Sequence, residues 1–242
     1  MNDTKFVISR DLLASGQLSP HLQSAQDAGL IALWSDEQRE ANRRATLERH
    51  PEGEDIFVFG FGSLMWNPAC HVEEAIPALV RGWHRRFNLW TPLGRGTLEL
   101  PGVMLGLERG GSCRGLALRI AADKADEETA IIWRREMLAG AYIPTWVRAE
   151  LRGSTGGREV DAITFVINPA YERYAGRLTE EILVHHLACA EGPMGACIEY
   201  LEKTVAALDA IGHRRGPMHD LLRRARTVRC THLEKQGRRD ET

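Results

Sequence analysis

The alternation of apolar and polar positions divides the chain into a helical start, a strand-rich middle and a helical end. Between residues 55 and 120 apolar positions recur mostly every second residue, and glycines interrupt them, which is typical of strands joined by turns. Arg109-Gly110-Gly111-Ser112 predicts one such turn. No crossover helix separates the early strands, so the pattern predicts a largely antiparallel sheet or barrel. The predicted strands are 56–60, 78–82, 84–91, 102–109, 113–120 and 158–167.

Helical periodicity and capping residues predict helices on both sides of this region. Before it, one helix is predicted to begin at Ser19-Pro20, and a second after Ser35, through DEQREANRRATLER. A third is predicted over 123–139, where Gly140 ends it. Later helices are predicted from Thr179 to about Ala190, from Gly195 to about Ile211 and from Pro217 to about Glu234.

The changes in pattern predict three parts: a helical N-terminal extension over 1–54, a main domain over 55–215, and a basic helix and tail over 216–242. We interpret the extension as an arm laid on the main domain or as an oligomer contact, and the sequence gives no oligomeric state. Acidic residues are interspersed in the basic helix and no aromatic residue could stack on bases, which favours a solvated surface over a nucleic-acid site. Its basic residues are Arg223, Arg224, Arg226, Arg229, Lys235, Arg238 and Arg239.

Composition narrows the function classes. Hydrophobic residues make up 43% of the chain, charged residues 26%, and the formal net charge is −2, so we expect neither nucleic acid nor a membrane as partner. We predict no membrane span and no signal peptide. The five cysteines form no Cys-x-x-Cys pair, which favours a reducing cytoplasm over disulfides or a zinc ribbon. His185, His186 and Cys189 could hold a metal within one helical turn, but ordinary helix residues are the better interpretation.

The segment FVFGFGSLMW (57–66) ends an apolar run in a glycine-rich turn. A dinucleotide loop would need a glycine where Met65 stands, and a Walker loop would need Gly-Lys-Ser/Thr. A serine elbow would need glycines on both sides of Ser63, where Phe61 and Met65 stand. Two interpretations remain equal: a bare backbone that binds a carboxylate or an oxyanion, or a tight turn without a ligand.

A candidate general base lies in the helix predicted over 123–139. At helical spacing, Thr129, Ile132, Trp133, Glu136 and Gly140 share one face, from which the neighbouring Arg134 and Arg135 are expected to point away. Burial raises the pKa of a carboxylate, which would suit Glu136 to general-base chemistry. The alternative is that Glu136 pairs with a buried arginine from a strand, such as Arg86 or Arg95.

Four cationic side chains lie in HRRFNLWTPLGRGT (84–97), next to aromatic residues. Beside a bare turn, His84, Arg85, Arg86 and Arg95 would suit a substrate with carboxylates. A salt-bridged sheet face is the alternative.

Together these segments resemble the ChaC-type gamma-glutamylcyclotransferases, the branch that acts on glutathione. The resemblance begins at Val58-Phe59-Gly60-Phe61-Gly62-Ser63-Leu64-Met65-Trp66 and covers about 55–215. Further matching segments follow in family order: Arg81-Gly82, His84-Arg85-Arg86-Phe87, Arg95-Gly96-Thr97, Pro101-Gly102, Gly110-Gly111-Ser112-Cys113-Arg114-Gly115, Trp133-Arg134-Arg135-Glu136-Met137, Gly140-Ala141-Tyr142, Gly192-Pro193 and Glu199-Tyr200-Leu201.

The resemblance implies an α+β fold: a gamma-glutamylcyclotransferase-like mixed, largely antiparallel β-barrel with surrounding helices, and the domain over 55–215 as the catalytic one. It implies Glu136 as the acid/base catalyst and no metal or organic cofactor. The substrate-binding residues it implies are Val58, Phe59, Gly60, Phe61, Gly62, Ser63, Leu64, Arg95 and Tyr142. Two positions depart from the family: Phe61 replaces a common Tyr, and Cys197 replaces a frequent Asn.

The predicted function is cleavage of glutathione to 5-oxoproline and cysteinylglycine by attack of the substrate's α-amine on its γ-carbonyl. The alternatives are a cyclotransferase for other gamma-glutamyl amines and a non-catalytic gamma-glutamyl-binding or regulatory protein on the same fold. The two departures from the family pattern keep the second alternative open.

Overall fold

The structure, a computed structural model, describes residues 8–16, 20–153 and 157–240, with residues 230–240 described by their backbone alone. The strands are β1 (Ile56–Gly60), β2 (Glu74–Thr91), β3 (Gly102–Ile120), β4 (Tyr142–Leu151), β5 (Glu159–Ile167) and the two-residue strands β6 (Glu191–Gly192) and β7 (Gly195–Ala196). The helices are α1 (Arg10–Ala14), α2 (Pro20–Asp27), α3 (Asp36–Leu47), α4 (Ala125–Glu136), α5 (Glu180–Cys189), α6 (Cys197–Ala210) and α7 (Pro217–Asp240).

Five strands close into a barrel in the order β1, β3, β2, β4, β5. Strand β1 runs antiparallel to β3 and parallel to β5, which makes the barrel mixed but largely antiparallel, as the α+β prediction has it. Val58 pairs with Leu118 on one side and with Ile163 on the other. All three are buried, so this row lies in the barrel core.

The chain divides into two compact units. The barrel unit contains Ile8–Arg86 and Gly106–Tyr174, and the helical unit contains Phe87–Leu105 and Ala175–Thr242. In the helical unit α5, α6 and α7 pack on one another, and Phe87 meets the ring of Tyr200 edge-on at 6.2 Å. The predicted division into an extension, a main domain and a tail stays a prediction.

The strand pattern was predicted well in the core and wrongly in the exposed middle parts of β2 and β3. The predicted strands 78–82 and 84–91 are one strand, β2, and the predicted turn at 109–112 lies inside β3. Side chains across the two strands hold this ribbon: Arg86 pairs with Glu108 at 3.1 Å, and the guanidinium of Arg109 lies over the Trp83 ring. Gly110 and Gly111 take positive φ within the strand, which glycine tolerates.

Strand β4 was missed by the sequence pattern. Its Pro144 has no backbone N–H to donate to a neighbouring strand, which argues against a strand in the sequence pattern. In the structure Pro144 nevertheless pairs with Phe165 of β5. Nine residue pairs, from Tyr142–Ile167 to Glu150–Glu159, join β4 to β5, so tertiary pairing outweighs the local signal.

Helices of the N-terminal extension pack on α4. Helix α3 begins at a capping box of Ser35 and Gln38. Its Arg43, with a side chain only 6% exposed, donates to Thr129 Oγ1 at 2.9 Å and pairs with Asp126 at 2.7 Å. The sequence pattern of α3 shows no apolar face, and the helix is therefore held on α4 by contacts of its polar residues.

The same helix α4 has two further contacts with the extension. Trp133 Nε1 donates to Asn42 Oδ1 at 2.8 Å, and Arg10 of α1 pairs at 2.6 Å with Glu128, whose side chain is 1% exposed. Helix α4 is consequently held along its length by the extension.

The described basic residues of α7 have acidic or carbonyl partners within the helical unit. Arg226 pairs with Glu202 at 2.9 Å, Arg223 with Asp220 at 2.8 Å, and Arg224 with Glu180. Lys235, Arg238 and Arg239 lie outside the described side chains. Over the described chain, no helix combines the length and the apolar character that a membrane crossing requires.

We predict that Arg43→Met lowers the free energy of unfolding by about 2 kcal/mol at pH 7, because it removes the charged donor from Thr129 Oγ1 and from the carbonyl of Asp126. The hydrogen bond from Arg43 is the main cause that lowers the pKa of Glu40 to about 2. A carboxylate with a lowered folded-state pKa stabilises the fold above its unfolded pKa and loses that effect as pH falls. The difference in free energy of unfolding between Arg43→Met and wild type should therefore become smaller as the pH falls from about 5 to about 2.

Urea unfolding at several pH values measures this effect. The matched control is Arg44→Met on the same helix, which also pairs with Glu40 but is 77% exposed and should cost less than about 0.5 kcal/mol. Equal losses for both variants, or a loss for Arg43→Met that does not change with pH, would contradict the prediction.

Candidate active site

The glycine-rich turn follows a fully buried strand. All five residues of β1 are buried, and Phe59 accepts a hydrogen bond at its carbonyl from Thr164 Oγ1 at 2.9 Å. After Gly60 the chain turns into a short 3₁₀ helix over Ser63–Met65. The turn is thus fixed at its start by a strand that neighbours support on both sides.

Close backbone approach explains one of the glycines around this turn. A Cβ atom added at Gly115 would overlap the carbonyl oxygen of Gly60 and lie 2.8 Å from Cζ of Phe59. Strand β3 can therefore approach the end of β1 only with glycine at position 115. A Cβ added at Gly60 would also be crowded, at 3.0 Å from Cβ of Leu64, but less severely than one at Gly115.

Arg85 of β2 holds the turn from the side. Its Nε donates to the carbonyl of Phe61 at 3.0 Å, and its Nη2 donates to the carbonyl of Arg114. Of the cations predicted near the turn, Arg85 is thus the one that contacts the main chain of the turn.

Glu136 is the last residue of α4, and its side chain is 13% exposed. Burial raises the pKa of its carboxyl, and the positive charge of Arg135 opposes that rise. Nε of Arg135 lies 3.0 Å from Glu136 Oε1. The predicted helix over 123–139 began two residues early and ended three residues late, since Met137 already has a non-helical backbone and α4 covers Ala125–Glu136.

Gly140 does not share a helix face with Glu136, contrary to the sequence prediction. It lies beyond the helix with a φ of 74°, where Trp34 of the extension packs against it. The other predicted members of that face, Thr129, Ile132 and Trp133, are buried as the spacing indicates.

Arg135 starts from a different helix face than Glu136, but the sequence did not predict that its guanidinium is buried and reaches back to Glu136. Its side chain is 5% exposed, and besides pairing with Glu136 it donates from Nη2 to Ser63 Oγ at 2.8 Å and from Nη1 to the carbonyl of Asn67. One guanidinium therefore joins the carboxylate to the glycine-rich turn. The sequence signal was available, because residues 128, 131 and 135 form a second buried face of α4.

The remaining predicted site residues lie in both units. Leu64 and Tyr142 belong to the barrel unit and are buried, the latter as the first residue of β4. Arg95 belongs to the helical unit, where it donates to the carbonyl of Ala196 at 3.0 Å and lies 3.8 Å from Glu199. Burial lowers the pKa of Arg95.

The two arginines that the sequence offered as alternative partners of Glu136 lie next to other carboxylates, and only Arg86 is on a strand. Arg86 pairs with Glu108 at 3.1 Å, and Arg95 has Glu199 as its nearby carboxylate. Glu136 pairs instead with its neighbour in sequence, Arg135, at the end of the same helix.

Cys197, which stands where the family often has Asn, is fully buried in the helical unit. Its Sγ accepts from the N–H of Val103 at 3.3 Å and donates to the carbonyl of Val103 at 3.4 Å. Burial raises the pKa of the thiol to about 11, so it stays neutral at pH 7. Cys197 therefore binds the main chain of β3 at Val103, and its thiol supplies both the donor and the acceptor for that contact.

The predicted histidine and cysteine cluster has no metal geometry. Across residues 8–16, 20–153 and 157–229, whose side chains are described, no group of three or more His, Cys, Asp or Glu side chains is arranged to hold a metal ion. His186 instead hydrogen-bonds through Nδ1 to the carbonyl of Pro101 at 2.7 Å, and its ring packs on Trp90.

Comparison with known proteins gives consistent matches. A family model described as ChaC-like protein matches residues 56–227. The glutathione-specific gamma-glutamylcyclotransferase of Escherichia coli (strain K12) is 36% identical over 216 residues, which cover 89% of this chain and 91% of the relative. Glutathione-specific gamma-glutamylcyclotransferase 1 of Danio rerio is 29% identical over 148 residues, which cover 60% of this chain and 75% of the relative.

Among solved structures, the fold is similar to that of a gamma-glutamyl cyclotransferase specific to glutathione from yeast. The TM-score is 0.63 at 21% sequence identity, and the match covers 73% of this chain and 100% of the yeast chain. This likeness supports the barrel and its surrounding helices.

We predict that Gly115→Ala lowers the free energy of unfolding by about 3 kcal/mol, because the added methyl group overlaps the backbone at Gly60. Chemical denaturation measures the loss. The matched control is Gly82→Ala on β2, where φ is +80° but no heavy atom lies within 4 Å of the new Cβ, so that only backbone strain of about 1 kcal/mol is added. Equal losses at both glycines would show that the close approach at Gly115 is unimportant.

Proposed function

This chain belongs to the ChaC-like protein family, and from that premise we propose that it cleaves glutathione to 5-oxoproline and cysteinylglycine, with its site at the glycine-rich turn and Glu136. The observation that carries the proposal is that Arg135 connects a buried carboxylate to the bare turn at the end of β1. A relative at 36% identity over 91% of its length supports glutathione as the substrate.

The proposed reaction is intramolecular. The α-amine nitrogen of the glutamyl group attacks its own γ-carbonyl carbon, and a new C–N bond closes a five-membered ring. The γ-C–N bond to the cysteinyl residue then breaks, and its electron pair and one proton go to the leaving nitrogen. Because nucleophile and electrophile belong to one molecule, the protein needs only to fold the glutamyl arm and move protons.

Glu136 is proposed as the group that moves these protons. It would accept one from the α-ammonium as general base and give one to the leaving nitrogen as general acid. The attacking nitrogen loses its second proton as the ring closes, and the released amine takes up that proton. Burial raises its pKa towards the range where a carboxyl can do both, while Arg135 keeps the carboxylate form accessible. The chemistry uses proton transfer alone, so we propose no metal and no organic cofactor.

The turn over residues 60–63 is proposed to bind the gamma-glutamyl group. Its backbone N–H groups would hold the α-carboxylate or the oxyanion of the tetrahedral intermediate, and one such donor is worth about 3–4 kcal/mol in the transition state. The buried strand β1 and the hydrogen bond from Arg85 to Phe61 keep this backbone in place. Val58, Phe59, Leu64, Arg95 and Tyr142 stay predicted contributors to substrate binding.

We propose the cytoplasm as the location. Cys70, Cys113, Cys189 and Cys197, which are the cysteines with described side chains, are all free. Free cysteines are typical of a reducing compartment.

We predict that Glu136→Gln folds and loses 5-oxoproline formation from glutathione by more than about a hundredfold, because the amide cannot accept the α-ammonium proton. Chromatographic detection of 5-oxoproline and cysteinylglycine measures the loss. The matched control is Glu127→Gln on the same helix, whose carboxylate is 66% exposed and pairs with Arg10, and which should keep wild-type turnover.

A Glu136→Gln variant with near-wild-type turnover would remove Glu136 from the mechanism and leave the overall activity standing. No 5-oxoproline from the wild type would overturn the proposed function itself.

Two alternatives rest on the departures at Phe61 and Cys197. A cyclotransferase for other gamma-glutamyl amines would prefer gamma-glutamyl-alanine in direct competition with glutathione. A binding or regulatory protein would be stabilised against heat by glutathione without turnover. The buried Glu136 favours catalysis, since a binding protein needs no acid at the end of a buried helix face.

A further inference from the structure

The guanidinium of Arg135 contacts three groups, of which the carboxylate of Glu136 is one. Nε contacts Glu136 Oε1 at 3.0 Å and Nη2 donates to Ser63 Oγ at 2.8 Å. These two nitrogens form one edge of the planar group, so the carboxylate and the hydroxyl are held at a fixed spacing. Nη1 donates to the carbonyl of Asn67, which fixes the plane itself.

The hydrogen-bond roles follow from chemistry. A guanidinium carries only donors, so Ser63 Oγ must accept from Arg135. The proton of the Ser63 hydroxyl is then directed towards a different acceptor. A serine hydroxyl at the glycine-rich turn, oriented as a donor, suits a carboxylate or a developing oxyanion.

We propose that Arg135 is a positioning residue of the reaction: it orients the Ser63 hydroxyl as a donor to the gamma-glutamyl group and holds Glu136 in register with the turn. The inference rests on the proposed function, and it concerns how the turn and the base act together. Arg135 acts through these two side chains, since both polar atoms of its Nε–Nη2 edge are occupied by them.

Two other ionisable groups on this side of the structure, Cys70 and Glu128, keep one charge state around pH 7. Cys70, which follows the turn, has its pKa raised by burial to about 12 and stays neutral. Glu128 is held ionised by Arg10 and by the N–H of His71, which counter the effect of burial and lower its pKa. Neither of these two groups would therefore contribute to a change in the acidic limb of the pH profile when Arg135 is replaced.

The test compares Arg135→Met and Arg135→Lys with wild type in steady-state assays of 5-oxoproline formation. Arg135→Met should lower kcat by about a hundredfold, the scale of a reacting group held out of place, with a much smaller change in KM. Arg135→Lys should rescue only part of the loss, since an ammonium keeps the charge but not the planar fork.

The pH profile separates positioning from mere folding support. Arg135 lowers the pKa of Glu136, so its removal raises that pKa further. A general base must be deprotonated, so the acidic limb of kcat should move to higher pH by about one unit in Arg135→Met. Arg135→Lys should leave the limb near its wild-type position.

Ser63 supplies the second readout. Ser63→Ala should lower kcat, and the double variant with Arg135→Met should be no slower than Arg135→Met alone, because both changes remove one shared interaction. Arg134→Met is the matched control on the same helix: Arg134 donates to the carbonyl of Leu13, and its replacement should leave kcat and the pH profile unchanged.

An unmoved acidic limb in both Arg135 variants, or fully additive losses for Ser63→Ala and Arg135→Met, would overturn the inference while the wild-type activity stands. If Arg135→Met does not fold, the test rests on Arg135→Lys. A wild-type kcat in Arg135→Lys would overturn the inference. A tenfold or larger loss of kcat in that variant, at an unchanged melting temperature, would support it. Absence of 5-oxoproline from the wild type would instead mark failure of the proposed function.

Discussion

The site depends on a carboxylate that is almost buried at the end of a helix. Taking a charge out of water is costly, and the fold lowers that cost with one guanidinium next to it, that of Arg135. The same group reaches Ser63, so the pair that makes the buried charge tolerable also fixes its distance to the glycine-rich turn. The stability of this region and the geometry of the proposed site therefore rest on the same guanidinium.

Support for this helix comes from two directions. On the barrel side, β1 and β3 approach closely through Gly115 and fix the turn that Arg135 contacts. On the other side, Arg43 and Asn42 of the extension hydrogen-bond to α4. The pKa of a buried acid stays shifted only if the side chain stays buried to the same extent. Contacts on both sides of the helix restrict the movement of Glu136.

The sequence predicted correctly those elements whose bounds depend on neighbouring residues in the chain. The capping residues Ser35 and Thr179 mark the starts of α3 and α5 correctly, and the apolar run gives β1 to the residue. Helical spacing also picked out Glu136. The misses have a common cause: the exposed ribbon of β2 and β3, strand β4 with Pro144, and the inward course of Arg135 are all set by partners distant in sequence. Periodicity along one segment contains no information about those partners.

The contacts between the extension and α4 also bear on how such a sequence can change over evolution. The family model begins at residue 56, whereas Asn42 and Arg43 precede it and contact Trp133 and Thr129 within it. A substitution on one side of this contact should therefore cost less stability when a matching one is made on the other side. The four positions are thus linked across the boundary of the family model, and a change in the helix at one of them alters what its partner segment must supply.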